Sequence, residues 1–286
     1  MSKLVQRLLI FILGVPAVAA LVLLLPWHSH LALNLVVVAF AAGAAAEFSV
    51  MLSRRNMAIP KAEAAVLGAL LPAAAVAAVM FGLDSAALVA AAATLGVSWL
   101  LLSRVFSRGE KLDNFAASVV AGVSAMLYPG LFLTWLLAMT GWDNSGVVII
   151  TFLVAVFGGD SLAWATGMLF GKNNRGVVPA SPNKSLAGFA GGVLGPVIVG
   201  TSAALLLPAV FVPATPLPAA AAGAVLGLLT GCAAILGDLA ESAFKRSTGI
   251  KDSGTVIMGR GGVLDSLDSV AFAAPVFYLC FRMLFG

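Results

Sequence analysis

The sequence predicts an all-α polytopic integral membrane protein, and three observations predict it. Mean hydropathy is +1.08, and hydrophobic residues make up 61% of the 286 positions against 10% charged. The apolar residues come in continuous runs of about 20, the length of a membrane-crossing helix, not in the ten-residue alternations of a membrane β-barrel. The lysines and arginines collect in every second connection, as cytoplasmic loops do.

Nine spans follow, at roughly 5–26, 31–51, 62–83, 85–103, 115–140, 147–170, 187–212, 218–244 and 265–284. In the first, Lys3 and Arg7 precede an apolar run, and Ala17-Val18-Ala19 imitates a signal-peptidase site. The run continues to Leu25, so the expectation is an uncleaved first helix. The Ala-rich run Ala64–Ala93 suits close helix packing in lipid. Val177–Pro182 and Val212–Pro218, rich in Pro and Gly or bounded by Pro, are loops. Cys232 and Cys280 sit inside apolar runs and are packing residues. No polar stretch is long enough for a soluble domain. The expectation is a single membrane domain, 1–286, with N-terminal helices over 1–140 and the polar regions over 150–270.

With the N-terminus inside, Lys3, Arg7, Arg54, Arg55, Lys61, Arg104, Arg108, Lys111, Lys172, Arg175, Lys184, Lys245, Arg246, Lys251 and Arg260 all fall on one side. Only Arg282 among the 16 basic residues breaks the pattern. The expected topology is N-in, C-out. The net charge of +4 is then a topology signal, and nucleic-acid binding is excluded as its reason.

Acids are expensive near hydrocarbon, yet Asp238, Glu241, Asp252, Asp265 and Asp268 share about thirty positions with Ser242, Lys245, Arg246, Lys251 and Arg260. Asp238, Glu241, Ser242 and Lys245 are spaced i, i+3, i+4, i+7 and share one helix face. Asp265 and Asp268 share another. Two such helix ends would gather three or four carboxylates, which need a cation between them. Oxygen donors without His or Cys favour Mg²⁺, and nearby Lys and Arg complete the equipment for phosphoryl chemistry. Gly259, Gly261 and Gly262 would let backbone N–H groups approach a phosphate just before a helix N-terminus. The competing readings are topogenic charges, ion pairs from Asp238 and Glu241 to Lys245 and Arg246 that close a bundle, a helix-breaking role for Asp160 after Gly158-Gly159, and an ordinary turn at Ser181–Lys184.

The stretch Gly237–Arg246, then Lys251-Asp252, then Gly259–Asp268 resembles the signature of the phosphatidate cytidylyltransferase family, S-x-x-K-R-x4-K-D followed by a Gly-rich turn and G-G-x-x-D-R-x-D. The spacing from Ser242 to Asp268 fits it without a gap. Asp160–Trp164, Phe170-Gly171-Lys172 and Ser181–Ser185 resemble the family's second polar region. Arg260, Ser266, Met258 and Ala187 depart from the pattern, where His, Arg, Pro or Gly, and an acid are common. The first 140 residues match only as apolar helices, open to use as part of a lipid pocket or as a homodimer surface.

The resemblance implies transfer of CMP from CTP to phosphatidate at a cytoplasmic face of the inner membrane. Asp238, Asp265, Lys245 and Arg246 would be catalytic. Asp238, Asp265 and Asp268 would hold Mg²⁺, with a second cation allowed. Ser181, Asn183, Lys184, Glu241, Ser242, Lys251, Asp252, Arg260 and Asp160 would contact substrates. The alternatives are another CTP-using lipid or polyprenol phosphotransferase, and a cation-coupled transporter with Asp160, Asp238 and Asp265 as its ion path. The transporter would call for broken helices in two related halves, and no repeat is visible.

Overall fold

A computed structural model describes residues 13–106, 114–257 and 261–286. These contain nine helices: α1 (Val15–Leu23), α2 (Trp27–Ser53), α3 (Lys61–Phe81), α4 (Ser85–Val105), α5 (Phe115–Met139), α6 (Ser145–Phe170), α7 (Leu186–Leu206), α8 (Ala219–Ser247) and α9 (Leu264–Phe285). Eight of them, α2 to α9, are long and apolar enough to cross a membrane. The all-α polytopic class is therefore as expected. Residues 5–12 of the first expected span lie outside the described residues, and α1 falls in its described part. Among the described residues no strand occurs; only isolated bridges pair Arg175 with Ser185 and Ile257 with Gly261.

Two of the boundaries that differ from expectation have plain physical reasons. The seventh span stops at Leu206, not 212, because Leu207 precedes Pro208 and a pre-proline residue is driven out of helical geometry. The eighth continues three residues past 244 to Ser247. It then closes on Gly249 at φ +71, with the Ile250 amide returning to the Lys245 carbonyl, a glycine-based helix stop. The joint between α3 and α4 is set by Gly82 at φ +63 and by Asp84, whose Oδ1 accepts from the Ala86 and Ala87 amides at 2.9 and 3.3 Å. At the start of α2, His28, Ser29 and His30 hold left-handed conformations, and the Asn34 amide donates to the Ser29 carbonyl at 2.8 Å.

The chain divides into two compact units, Met1–Trp142 with Phe244–Leu267, and Asp143–Ala243 with Asp268–Gly286. In the first, α3 lies against α2 and α5 through Gly68. A Cβ there would meet the Ala41 carbonyl at 2.9 Å, and a Cβ added at Gly130 of α5 would meet the Gly68 carbonyl at the same distance. Gly130 belongs to a π-helical turn, Met126–Leu131, that absorbs Pro129. Phe48, Met51, Leu71, Leu100, Leu133 and Leu137 fill the core. Glu63 of α3 pairs with Arg104 of α4 at 2.6 Å and accepts from Trp99 Nε1 at 3.1 Å, so this charge inside an apolar hairpin is answered. Phe244, the first α8 residue of this unit, packs edge-on against Phe48 at 4.9 Å.

In the second unit α7 is the central helix. On one side Gly188, Gly191 and Gly195 let it approach α6 at backbone distance. On the other, Gly200 and Pro196 meet Gly223 and Gly227 of α8. Small residues at helix crossings are how bundles pack in lipid, where no hydrophobic drive separates helix from solvent. Phe152, Phe211, Phe277 and Phe281 form an aromatic ladder beside them.

Candidate active site

Each unit carries one lysine–carboxylate pair built from the polar motifs. In the second unit, the loop between α6 and α7 folds back on itself. Gly176 N–H donates to the Lys184 carbonyl, Leu186 N–H to the Asn174 carbonyl, and Lys184 N–H to the Ser181 carbonyl. Ser185 then caps α7 by accepting from the Gly188 amide at 3.1 Å. This clip holds Lys184 in an ion pair with Asp238 Oδ2, and its ammonium lies 5.9 Å from the Phe189 ring centre, a favourable cation–π distance. One turn along α8, Ser242 Oγ donates to Asp238 Oδ1 at 3.4 Å. Gly237 packs against the Asp268 backbone carbonyl, which fixes where α8 and α9 cross.

This pair closes the polar end of a cavity of about 410 Å³. Asp160, Arg175 and Asn183 line the same cavity, and Trp164, Met168 and Ile235 give it apolar walls. Asp160 lines this cavity together with Lys184 and Asp238. Ser181 is a turn residue that supports Lys184 through its backbone. Arg175, which the motif reading left as a topology charge, lines the cavity. Its signal was its place opposite Ser185 across a tight loop.

In the first unit, Lys245 Nζ pairs with Asp265 Oδ1 at 2.7 Å, both side chains largely buried. Asp265 Oδ2 accepts from Ser253 N at 2.9 Å, Ser253 Oγ at 3.0 Å and Gly262 N at 2.7 Å. A carboxylate held by this many charge-assisted bonds has a fixed orientation. Glu47 of α2 faces the same turn, accepting from Val263 N at 2.9 Å and Leu264 N at 3.0 Å, and its Oε2, 2.9 Å from Ser253 Oγ, shares that hydroxyl's one proton with Asp265 Oδ2.

Of the glycines expected near a phosphate, Gly259 lies outside the described residues, the Gly261 amide donates to the Ile257 carbonyl and the Gly262 amide to Asp265, while the Val263 and Leu264 amides donate to Glu47. Asp238 pairs with Lys184, and Lys245 pairs with Asp265. Among the described residues, no three His, Cys, Asp or Glu side chains gather as a metal cage. Glu241 is fully buried, and Arg246, Lys251 and Asp252 are exposed. Arg260 lies outside the described residues. Ser266, where the signature commonly has Arg, donates its hydroxyl to the Gly262 carbonyl at 3.4 Å.

The donor set still suits Mg²⁺. It consists of hard carboxylate oxygens, and two of the acids, Asp238 and Asp265, each attract a cationic ammonium. Mg²⁺ is typically held by one or two carboxylates together with substrate phosphates, without an all-protein cage.

The cytidylyltransferase family model matches residues 5–284. The chain belongs to the cytidylyltransferase family. It is 37% identical over 175 residues to a phosphatidate cytidylyltransferase of Thermotoga maritima, covering 59% of this chain and 61% of that protein. It is 33% identical over 171 residues to one from Mycobacterium bovis, covering 60% and 53%. An uncharacterized Escherichia coli protein, YnbB, is 32% identical over 189 residues, covering 62% and 60%. The chain thus spans about half to three-fifths of the length of these cytidylyltransferase relatives. The family match extends over α2, so the helix that carries Glu47 belongs to the same unit of descent as the signature.

Proposed function

We propose that this chain transfers CMP from CTP to phosphatidate, giving CDP-diacylglycerol and pyrophosphate. The observation that carries the proposal is the cavity of the second unit. It joins a polar floor, where Lys184 and Arg175 lie with Asp238, Asp160 and Asn183, to apolar walls. That combination fits a lipid bearing a phosphate head, and the family relatives named phosphatidate cytidylyltransferase agree with it. The distribution of Lys and Arg supports placing this face toward the cytoplasm, with the N-terminus inside and the protein in the cytoplasmic membrane.

In the proposed reaction a phosphatidate phosphate oxygen forms a bond to the α-phosphorus of CTP. The bond from that phosphorus to the bridging oxygen breaks, and pyrophosphate leaves with the electron pair. No general base is required, since a phosphate monoester is already anionic at neutral pH. The demand on the protein is electrostatic and positional. Lys184, held by Asp238 and the Ser181–Ser185 clip, presents one ammonium to a phosphate. Lys245 presents another, oriented by Asp265, and Arg246 adds an exposed guanidinium. Ser242 keeps Asp238 aligned. Asp238, Asp265 and Asp268 are the residues that would hold Mg²⁺, which when bound neutralises triphosphate charge. Asn183 and Asp160 would contact substrate from the cavity wall.

The test is purified protein in detergent with labelled CTP, phosphatidate and Mg²⁺, followed for CDP-lipid and pyrophosphate. Both products are expected in equal amounts. A folded protein that uses CTP only with a polyprenol, or not at all, overturns the phosphatidate reading. In the same assay Lys184→Met should lower kcat/KM for phosphatidate about a hundredfold, the scale of removing one positioned donor to a developing charge. The loss should appear at any CTP concentration.

A further inference from the structure

The lone acid of α2 is the least expected feature of the molecule. Glu47 is the only charged residue between Trp27 and Ser53, in a run of membrane length. A carboxylate there is retained only with strong partners. Its partners come from 206 to 217 positions away: the Ser253 hydroxyl and the amides of Val263 and Leu264. Those amides open α9. The first turn of a helix has no internal acceptors for its N–H groups and carries the positive end of the helix dipole. Glu47 therefore stands where an anion is most stabilised.

Two further contacts show that space has been left for it. A Cβ at Gly254 or at Gly262 would collide with the Glu47 carboxylate. The glycines of this turn thus make room for a protein carboxylate. Ser253 extends the effect. Its hydroxyl lies 2.9 Å from Glu47 Oε2 and 3.0 Å from Asp265 Oδ2, while its amide donates to Asp265.

We infer that Glu47 is a positioning residue of the active site: it fixes the Gly-rich turn, and through Ser253 it holds Asp265 with Oδ1 turned to Lys245. The inference rests on the reading of Asp265 as part of the phosphate and Mg²⁺ machinery. It gives the N-terminal helices a catalytic purpose that their apolar sequence hides.

The test compares the full chain with Glu47→Gln and Ser253→Ala by three readouts. Hydrogen exchange over residues 253–265 in substrate-free protein reports the turn. Mn²⁺ binding followed by its paramagnetic resonance reports the carboxylate site without turnover. CDP-lipid formation against Mg²⁺ concentration reports activity. In Glu47→Gln, the Val263 and Leu264 amides should exchange faster. Mn²⁺ affinity should fall at least tenfold, and kcat should drop ten- to a hundredfold with the phosphatidate KM unchanged, the range seen when a ligand-orienting partner is removed. Ser253→Ala should keep slow exchange at those amides yet weaken Mn²⁺ at least threefold, which keeps the inference open to test if the Gln variant does not fold. Wild-type exchange in a folded Glu47→Gln overturns it. So does faster exchange with wild-type Mn²⁺ affinity, which would make Glu47 a structural brace only. If the wild type makes no CDP-lipid, the reaction reading fails, and exchange with Mn²⁺ binding still decide Glu47.

Discussion

Asp265→Asn should leave a folded protein whose CDP-lipid formation is down roughly a thousandfold, the upper scale for losing one preorganised electrostatic contact. The change is nearly isosteric, so the effect is one of charge and donor placement. Oδ2 now accepts from two backbone amides and a hydroxyl, while Oδ1 takes the Lys245 ammonium. An asparagine can satisfy only one of those sides. With its oxygen toward the turn, its NH₂ meets the ammonium; reversed, its NH₂ meets two N–H groups. Removing one partner of a largely buried ion pair costs about 3 kcal/mol, so thermal stability in detergent should fall as well. Asp265→Asn with Lys245→Gln separates the effects. Stability should largely return, because no buried charge is left alone, and activity should not. Recovery of activity in the double variant would show that Asp265 acts only by neutralising Lys245.

Gly227→Val should prevent the second unit from assembling. A Cβ at this position would overlap the Pro196 carbonyl oxygen, and the next atoms it meets are Pro196 C at 2.6 Å and Val197 Cα at 2.7 Å. All are backbone, and none can turn aside as a side chain would. The helices must separate by more than an ångström, which also opens the neighbouring Gly200–Gly223 contact. Overpacking a core costs about 1–3 kcal/mol when side chains can adjust; here the figure should reach the top of that range or beyond. Leu228→Val, next in sequence and 43% exposed, is the matched control and should be neutral. Size-exclusion recovery after graded heating distinguishes the two. Equal behaviour would mean that the α7–α8 crossing is looser than the structure shows.

The spans and the polar faces of α8 and α9 were legible because they depend on short spacings: twenty apolar residues, or an acid three or four positions from a base. The lysine partners were not, since Lys184 meets Asp238 only after a loop folds back, and the nearer Lys245 is the more obvious partner by sequence. The fate of the Gly-rich turn was hidden for a similar reason. Its glycines read as room for a phosphate, and nothing local says that a carboxylate from α2 fills that room. Glu47 itself did leave a trace, as one acid in an apolar run, but its partners lie more than two hundred residues downstream. The end of α7 was missed although Pro208 marks it.

The separation between Glu47 and its partners also bears on how the protein is made. The Glu47 carboxylate enters the membrane with α2, while Val263 and Leu264 are 216 and 217 positions away. At about 5–20 residues per second, the ribosome needs roughly ten to forty seconds to supply them. Through that interval an acid waits in an apolar helix without its final donors, and the first unit stays incomplete until its last segment, Phe244–Leu267, arrives. Biogenesis of this chain therefore contains a built-in delay. During it, water or an assisting insertion factor must shelter one carboxylate, and a ribosome stalled late in the message leaves behind a protein whose amino-terminal half cannot finish folding.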